Sequence, residues 1–103
     1  MSETIDCVEF CRALADDTRQ RMLELLLERE LSVSEIVERF QLSQPTVSHH
    51  LDTLRRYGLL ASRRQGKHIY YRTRREQVVR CCGLLFSKYA TGQEIRIDDK
   101  EAS

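Results

Sequence analysis

Two helix-start signals stand close together in this chain and leave little freedom for what lies between them. Ser32-Val33-Ser34-Glu35 has the pattern of a capping box, in which a serine hydroxyl and a glutamate carboxylate satisfy orphan backbone amides reciprocally. Ser43 then precedes Gln44-Pro45. Proline is tolerated in a first helical turn because the amide it lacks would be unpaired there anyway. Between the two caps, Ile36, Val37 and Phe40 recur at helical spacing, and Gln41-Leu42-Ser43 forms a tight break. The second helix of the pair runs to Tyr57 and meets Gly58, a natural C-terminal cap. The spacing therefore predicts helices over 33–40 and 44–57 joined by a three-residue turn, a helix-turn-helix.

The flanks supply the remaining elements. A first helix over 4–15 places Cys7, Phe10, Cys11 and Leu14 on one stripe. A second opens at Asp17, which can cap it with Gln20 reaching back, and buries Met22, Leu25 and Leu26. After Gly58, segments 60–64 and 68–72 read as strands around Gln65-Gly66-Lys67, a hairpin whose glycine supplies positive φ. A last helix over 74–90 carries Val78, Cys82, Leu85 and Tyr89 on one stripe, with Cys81 beside it. A chain of 103 residues has room for one small domain, placed at 1–92, with 93–103 as a flexible acidic tail. Apolar runs reach only three or four residues, too short to span a bilayer. Glu3, Asp6 and Glu9 stand where a signal peptide needs positive charge, so a cytoplasmic protein is expected.

The net charge of +1 conceals a strong asymmetry. Residues 43–75 hold eight arginines and lysines against Asp52 alone, a local charge of +7, and the rest of the chain carries −6. A basic third on an acidic body is the footprint of a polyanion-binding surface. On the helix after Ser43, Val47, Leu51 and Leu54 face inward, which turns Thr46, His49, Thr53 and Arg56 outward, with Gln44 and Ser48 at the leading end and flank. Such side chains can hydrogen-bond base edges in a DNA groove. The hairpin rim, Arg63, Arg64, Lys67 and His68, then forms a basic wing whose cations suit phosphates or the minor groove. The candidate DNA-binding residues are thus Gln44, Thr46, Ser48, His49, Arg56, Arg63, Arg64, Lys67 and His68. The competing reading is a non-catalytic interaction module whose basic face meets an acidic protein.

Several motifs carry a family resemblance: Leu14-Ala15-Asp16-Asp17-Thr18-Arg19, Leu42-Ser43-Gln44-Pro45-Thr46-Val47-Ser48-His49-His50-Leu51, Gly58-Leu59-Leu60 and Arg64-Gln65-Gly66-Lys67-His68-Ile69-Tyr70-Tyr71. Over about residues 8–90 the chain resembles the ArsR/SmtB family of bacterial metal-responsive repressors. The resemblance implies a winged-helix homodimer joined through its first and last helices, and binding of double-stranded operator DNA until an inducer releases it. It places His50 at the core boundary. It also implies inducer sites that this chain lacks: Leu31-Ser32-Val33-Ser34-Glu35 has serines where one site needs thiolates, and 74–90 contains none of the His or Asp ligands of another.

Four cysteines remain, Cys7, Cys11, Cys81 and Cys82. Cys7 and Cys11 lie one turn apart and can chelate together. If the terminal helices pack together, as the resemblance implies, both pairs converge. Three thiolates suit arsenite, and four suit zinc or cadmium. Adjacent helical residues diverge by about 100°, so one of Cys81 and Cys82 joins Cys7 and Cys11, with Cys82 favoured by its stripe. Plain burial of small apolar side chains and a thiol redox or reactive-sulfur switch are the other readings. His49, His50 and His68 do not have zinc-site spacing, and no nucleophile–base pair or phosphate-cradling glycine loop is present, so an enzyme is not expected.

Overall fold

The computed structural model describes residues 6–90. In chain order, α1 spans Cys7–Leu14, α2 Asp17–Glu28, β1 Leu31–Ser32, α3 Val33–Phe40, α4 Gln44–Arg56, β2 Leu60–Gln65, β3 His68–Thr73 and α5 Arg75–Tyr89. The architecture is the expected one: mainly helical, a helix-turn-helix at α3–α4, and a hairpin wing. The expected helix start at residue 4 and the 93–103 tail lie outside the described residues.

The caps explain the boundaries of the helix-turn-helix. Ser32 Oγ accepts from the Glu35 amide at 3.3 Å, and Glu35 Oε1 accepts from the Ser32 amide at 2.8 Å. The Ser32 amide, and after it the Ser32 hydroxyl, hold the Glu35 carboxyl below its ordinary pKa. Gln41 closes α3 in the left-handed region, at φ 53°. Ser43 Oγ then accepts from the Thr46 amide at 3.3 Å, with Pro45 in the first turn. At the far end of α4 the Gly58 and Leu59 amides donate to the Arg55 and Leu54 carbonyls, both at 2.9 Å. This is a Schellman motif, and it requires the φ of +76° that Gly58 supplies.

The cap of α2 differs from expectation. Asp16, not Asp17, is the N-cap; its carboxylate accepts from the Arg19 amide at 3.0 Å and lies below its ordinary pKa for that reason. Gln20 donates to the Leu14 carbonyl instead of closing a capping box.

A three-stranded sheet runs in the order β1-β3-β2. β1 is two residues long and was not foreseen, because so short a strand has no periodicity to read. The hairpin pairs from Leu60 with Thr73 out to Gln65 with His68. Gln65 belongs to the ladder, so the turn is Gly66-Lys67 alone, with Gly66 at φ 62°.

The core centres on Ile36, Val47, Leu51, Leu54 and Leu59, each at 1% exposure or less, with Met22 and Leu26 from α2. Each such side chain contributes about 1.5–3 kcal/mol by leaving water. Leu23 is buried where Leu25 was expected, and Leu25 is only partly covered. The reason is β3, which packs along α2; the Thr73 hydroxyl donates to the Leu23 carbonyl at 2.8 Å.

Both terminal helices are rotated relative to expectation. On α1 the buried residues are Phe10 and Ala13, and Cys11 is exposed. On α5 the inward stripe is Val78, Cys81 and Leu85, while Cys82 is exposed and Tyr89 is 75% exposed. On α5 apolar residues occur on most sides, so spacing alone does not phase that helix.

Leu54→Ala should lower stability by about 2–5 kcal/mol, because its wholly buried site has little room to collapse. Urea unfolding at fixed protein concentration measures this, and a loss below about 1 kcal/mol would contradict the packing described.

Candidate nucleic-acid interface and thiol groove

Burial of Val47, Leu51 and Leu54 turns the opposite face of α4 to solvent. Gln44, Thr46, His49 and Arg56 are exposed there, and Ser48 is half-buried on the flank. The Ser43 hydroxyl donates to Thr46 Oγ1 at 2.8 Å, which leaves the Thr46 hydroxyl proton available to a ligand. The Thr53 hydroxyl is turned back onto the His49 carbonyl at 3.0 Å.

Wing residues Arg64, Lys67 and His68 are exposed. A groove of about 360 Å³ separates the wing tip from the starts of α3 and α4; Ser34, Gln44, Lys67 and His68 line it with Val37 and Ile69. Hydrogen-bonding groups of the helix-turn-helix and cations of the wing thus border one open channel. Among the described residues, Arg56, Arg64 and Lys67 make no ion pair. Arg63 differs. Its Nε and Nη2 both reach Glu30 Oε1 at 2.7 Å, and its Nη1 donates to Gln65 Oε1 at 2.7 Å.

Sequence reasoning passed over Arg19 as a structural element. Its Nε and Nη2 donate to the Ala13 and Arg12 carbonyls at 2.7 and 2.9 Å, capping the end of α1. Its Nη1 lies 3.4 Å from His50 Nδ1 on α4. A guanidinium has no acceptor, so a hydrogen bond here requires Nδ1 to accept, as a neutral imidazole can. Burial pushes the His50 pKa down in the same direction, although Asp16 opposes it. His50 therefore occupies the core boundary, as expected.

The thiols lie on α1 and α5. Cys7 and Cys11 line a mostly apolar groove of about 320 Å³ between α1 and α5, together with Val8, Leu85, Lys88 and Tyr89. Cys81 is buried beneath; burial raises its pKa, and its neighbours Cys82 and Cys7 raise it further. Cys82 faces outward on the stripe of Val79, Phe86 and Tyr89. The inward thiol of α5 is thus Cys81, correcting the preference for Cys82. Among the described residues, no three candidate ligands stand together as a metal site.

Comparison with known proteins places this architecture. The family description "bacterial regulatory protein, arsR family" matches residues 16–62. The transcriptional activator HlyU of Vibrio cholerae is 34% identical over 87 residues, which cover 84% of this chain and 81% of HlyU. The chain belongs to the ArsR family.

Other members frame this ArsR-family chain. The arsenic resistance regulator ArsR1 of Pseudomonas putida is 50% identical over 62 residues, or 59% of the chain; the match spans about half of that relative's length, 48%. The structure of reduced HlyU covers 82% of the chain and 88% of its own, at 35% identity and a TM-score of 0.64. An ArsR-like regulator from a Rhodococcus species gives a TM-score of 0.73 at 27% identity, covering 80% and 77% of the two chains. These family members and structural neighbours are transcriptional regulators, not enzymes. Among the described residues, no helix is long and apolar enough to cross a membrane.

The His50 environment has a pH signature. The folded imidazole resists protonation, whereas the unfolded chain takes up a proton near pH 6.5. Stability should be complete above that value and decline as pH falls through the window just below it. Urea midpoints from about pH 7.5 to about pH 5 should therefore fall more steeply for the wild type than for His50→Gln. Parallel curves would contradict the buried neutral imidazole.

Proposed function

We propose that this ArsR-family chain is a cytoplasmic, homodimeric repressor that grips operator DNA with α4 and the wing and lets go when its thiols react. The observation that carries the reading is the channel between Gln44 on α4 and Lys67 and His68 on the wing, bordered on both sides by groups suited to DNA. Gln44, Thr46, Ser48 and His49 read base edges in the major groove. Arg56, Arg64, Lys67 and His68 meet phosphates or the minor groove. The partner is a second copy, seated on the apolar side chains that α1 and α5 leave exposed: Val8 at 55%, Val79 at 63%, Phe86 at 50% and Tyr89 at 75%. On this reading residues 1–92 act as one DNA-binding and dimerising unit, and 93–103 as an appendage.

The sensor reading starts from the thiol arrangement. Cys7 and Cys11 line the groove between α1 and α5, Cys81 is buried on α5, and among the described residues no three candidate ligands stand together. Two thiols suffice for a redox switch. Closing a disulfide between Cys7 and Cys81 removes two electrons and two protons, which an oxidant such as hydrogen peroxide accepts on becoming water. The likeness to HlyU, whose structure was obtained in a reduced form, supports this version. The likeness to ArsR1, named for arsenic resistance, supports a second one. In that version arsenite or cadmium, or zinc, is held by Cys7 and Cys11 with a thiol from the last helix, Cys81 or an outward Cys82 supplied by the partner. Either event repacks α1 against α5 and alters the spacing of the two recognition helices, a coupling of about 1–3 kcal/mol.

Duplexes selected from a random library by the reduced protein test the DNA reading. A defined footprint is expected, and affinity should fall with salt by about 0.9 log units per phosphate neutralised. Arg64→Ala with Lys67→Ala should reduce that slope; an unchanged slope removes the wing from the interface, and the lack of any footprint favours an acidic-protein partner instead.

The thiol reading is tested by challenging the same complex with peroxide, polysulfide, arsenite, cadmium and zinc, followed by thiol counting. Peroxide should consume two thiols per chain and release DNA, and Cys7→Ser should prevent both. Release by arsenite or cadmium that needs Cys11 and Cys82 would transfer the sensor to the metalloid version. Release that survives Cys7→Ser together with Cys11→Ser excludes this groove as the switch.

A further inference from the structure

One wing cation is held by the body of the protein. Glu30 immediately precedes β1, and Arg63 lies on β2, so the two outer segments of the sheet are bridged across the central strand β3. The register explains how. Arg63 pairs with Tyr70, and side chains alternate along a strand, so both point away from the face through which Tyr71 enters the core. The Arg63 guanidinium passes over the Tyr70 ring, 4.9 Å from its centroid, before reaching Glu30. Arg64 pairs with Ile69 on the other face, and Ile69 lines the channel to α4. Consecutive arginines of similar exposure are thereby sent to opposite faces of the wing.

The chemistry of the pair opposes a phosphate contact at Arg63. Three of its nitrogens are already engaged, two with Glu30 and one with Gln65. The Glu30 side chain is 28% exposed, so this ion pair is partly sheltered from solvent. A phosphate approaching Arg63 would have to displace charge-assisted hydrogen bonds and would meet the Glu30 carboxylate, a like charge. Arg64 and Lys67 present no such obstacle.

We propose that Glu30 withholds Arg63 from nucleic acid and uses it to fix the pitch of the wing, so that Arg64 and Lys67 supply the wing's phosphate contacts and Arg63 supplies none. Arg63 is a positioning residue, and Glu30 is the acidic clasp that makes it one. The inference rests on the DNA-binding reading above. On this proposal Arg63 leaves the set of DNA contacts expected from its place on the hairpin rim.

The test measures binding of the full chain to a mixed-sequence duplex of about 30 base pairs across a range of salt concentrations. Arg63→Met keeps an aliphatic stem over Tyr70 and should leave the salt slope unchanged. Arg64→Met should lower it by about 0.9 per subunit in contact. Glu30→Ala should raise it by a similar amount, because the released guanidinium now finds a phosphate. That gain should vanish in the double variant Glu30→Ala/Arg63→Met, which separates a released Arg63 from the general effect of removing a negative charge. Hydrogen exchange supplies an independent readout: Glu30→Ala and Arg63→Met should each speed exchange across 62–71, with the α3 and α4 amides unaffected. The proposal is overturned if Arg63→Met lowers the slope as Arg64→Met does, if the Glu30→Ala gain is absent or persists in the double variant, or if hairpin exchange stays as in the wild type. A wild-type chain with no salt-dependent duplex binding would sink the DNA reading instead, and hairpin exchange alone would then decide whether Glu30 positions the wing.

Discussion

The structure depends on burial of the Val47, Leu51 and Leu54 face of α4 against Ile36 and Leu59. A helix that hides one stripe must display the opposite one, and here the displayed stripe carries Gln44, Thr46 and His49. The chemistry offered to a ligand is therefore a consequence of core packing. The Ser43 cap and the Gly58 Schellman motif set where that helix begins and ends. The same glycine turns the chain directly towards β2, so the wing stands beside α4 without a linker.

Electrostatics divides the molecule into two working ends. Cations collect on α4 and the hairpin, while α1 and α5 carry the thiols and an uncovered apolar surface. Arg19 joins α1 to α4. It holds the last carbonyls of α1 and faces His50 of α4.

Much of the candidate interface was legible because its signals are local. A cap, a proline in the first turn, a glycine stop and a 3.6-residue period each act within a turn or two of chain, and α3, α4 and the hairpin follow them closely. Most misplaced details have a common origin. Leu25 for Leu23, Cys11 as an inward residue and Cys82 for Cys81 are errors of rotational phase, and Asp17 for Asp16 is a one-residue shift of the helix start. Phase is ambiguous wherever apolar residues occur on most sides of a helix, as they do on α5. β1 escaped notice because two residues acquire strand geometry only by pairing with β3.

The amino-acid sequence by itself determined the helix-turn-helix, the wing, the segregation of charge and the identity of the side chains that α4 presents, since short-range sterics and hydrogen bonding dictate all of these. Only the tertiary structure decided that Cys81 rather than Cys82 turns inward, that Arg19 meets His50, and that Glu30 captures Arg63 from across the sheet. Those pairings join residues distant in sequence through long or rotatable side chains. Their partners are chosen by which surfaces the core brings together, and no local pattern encodes that choice.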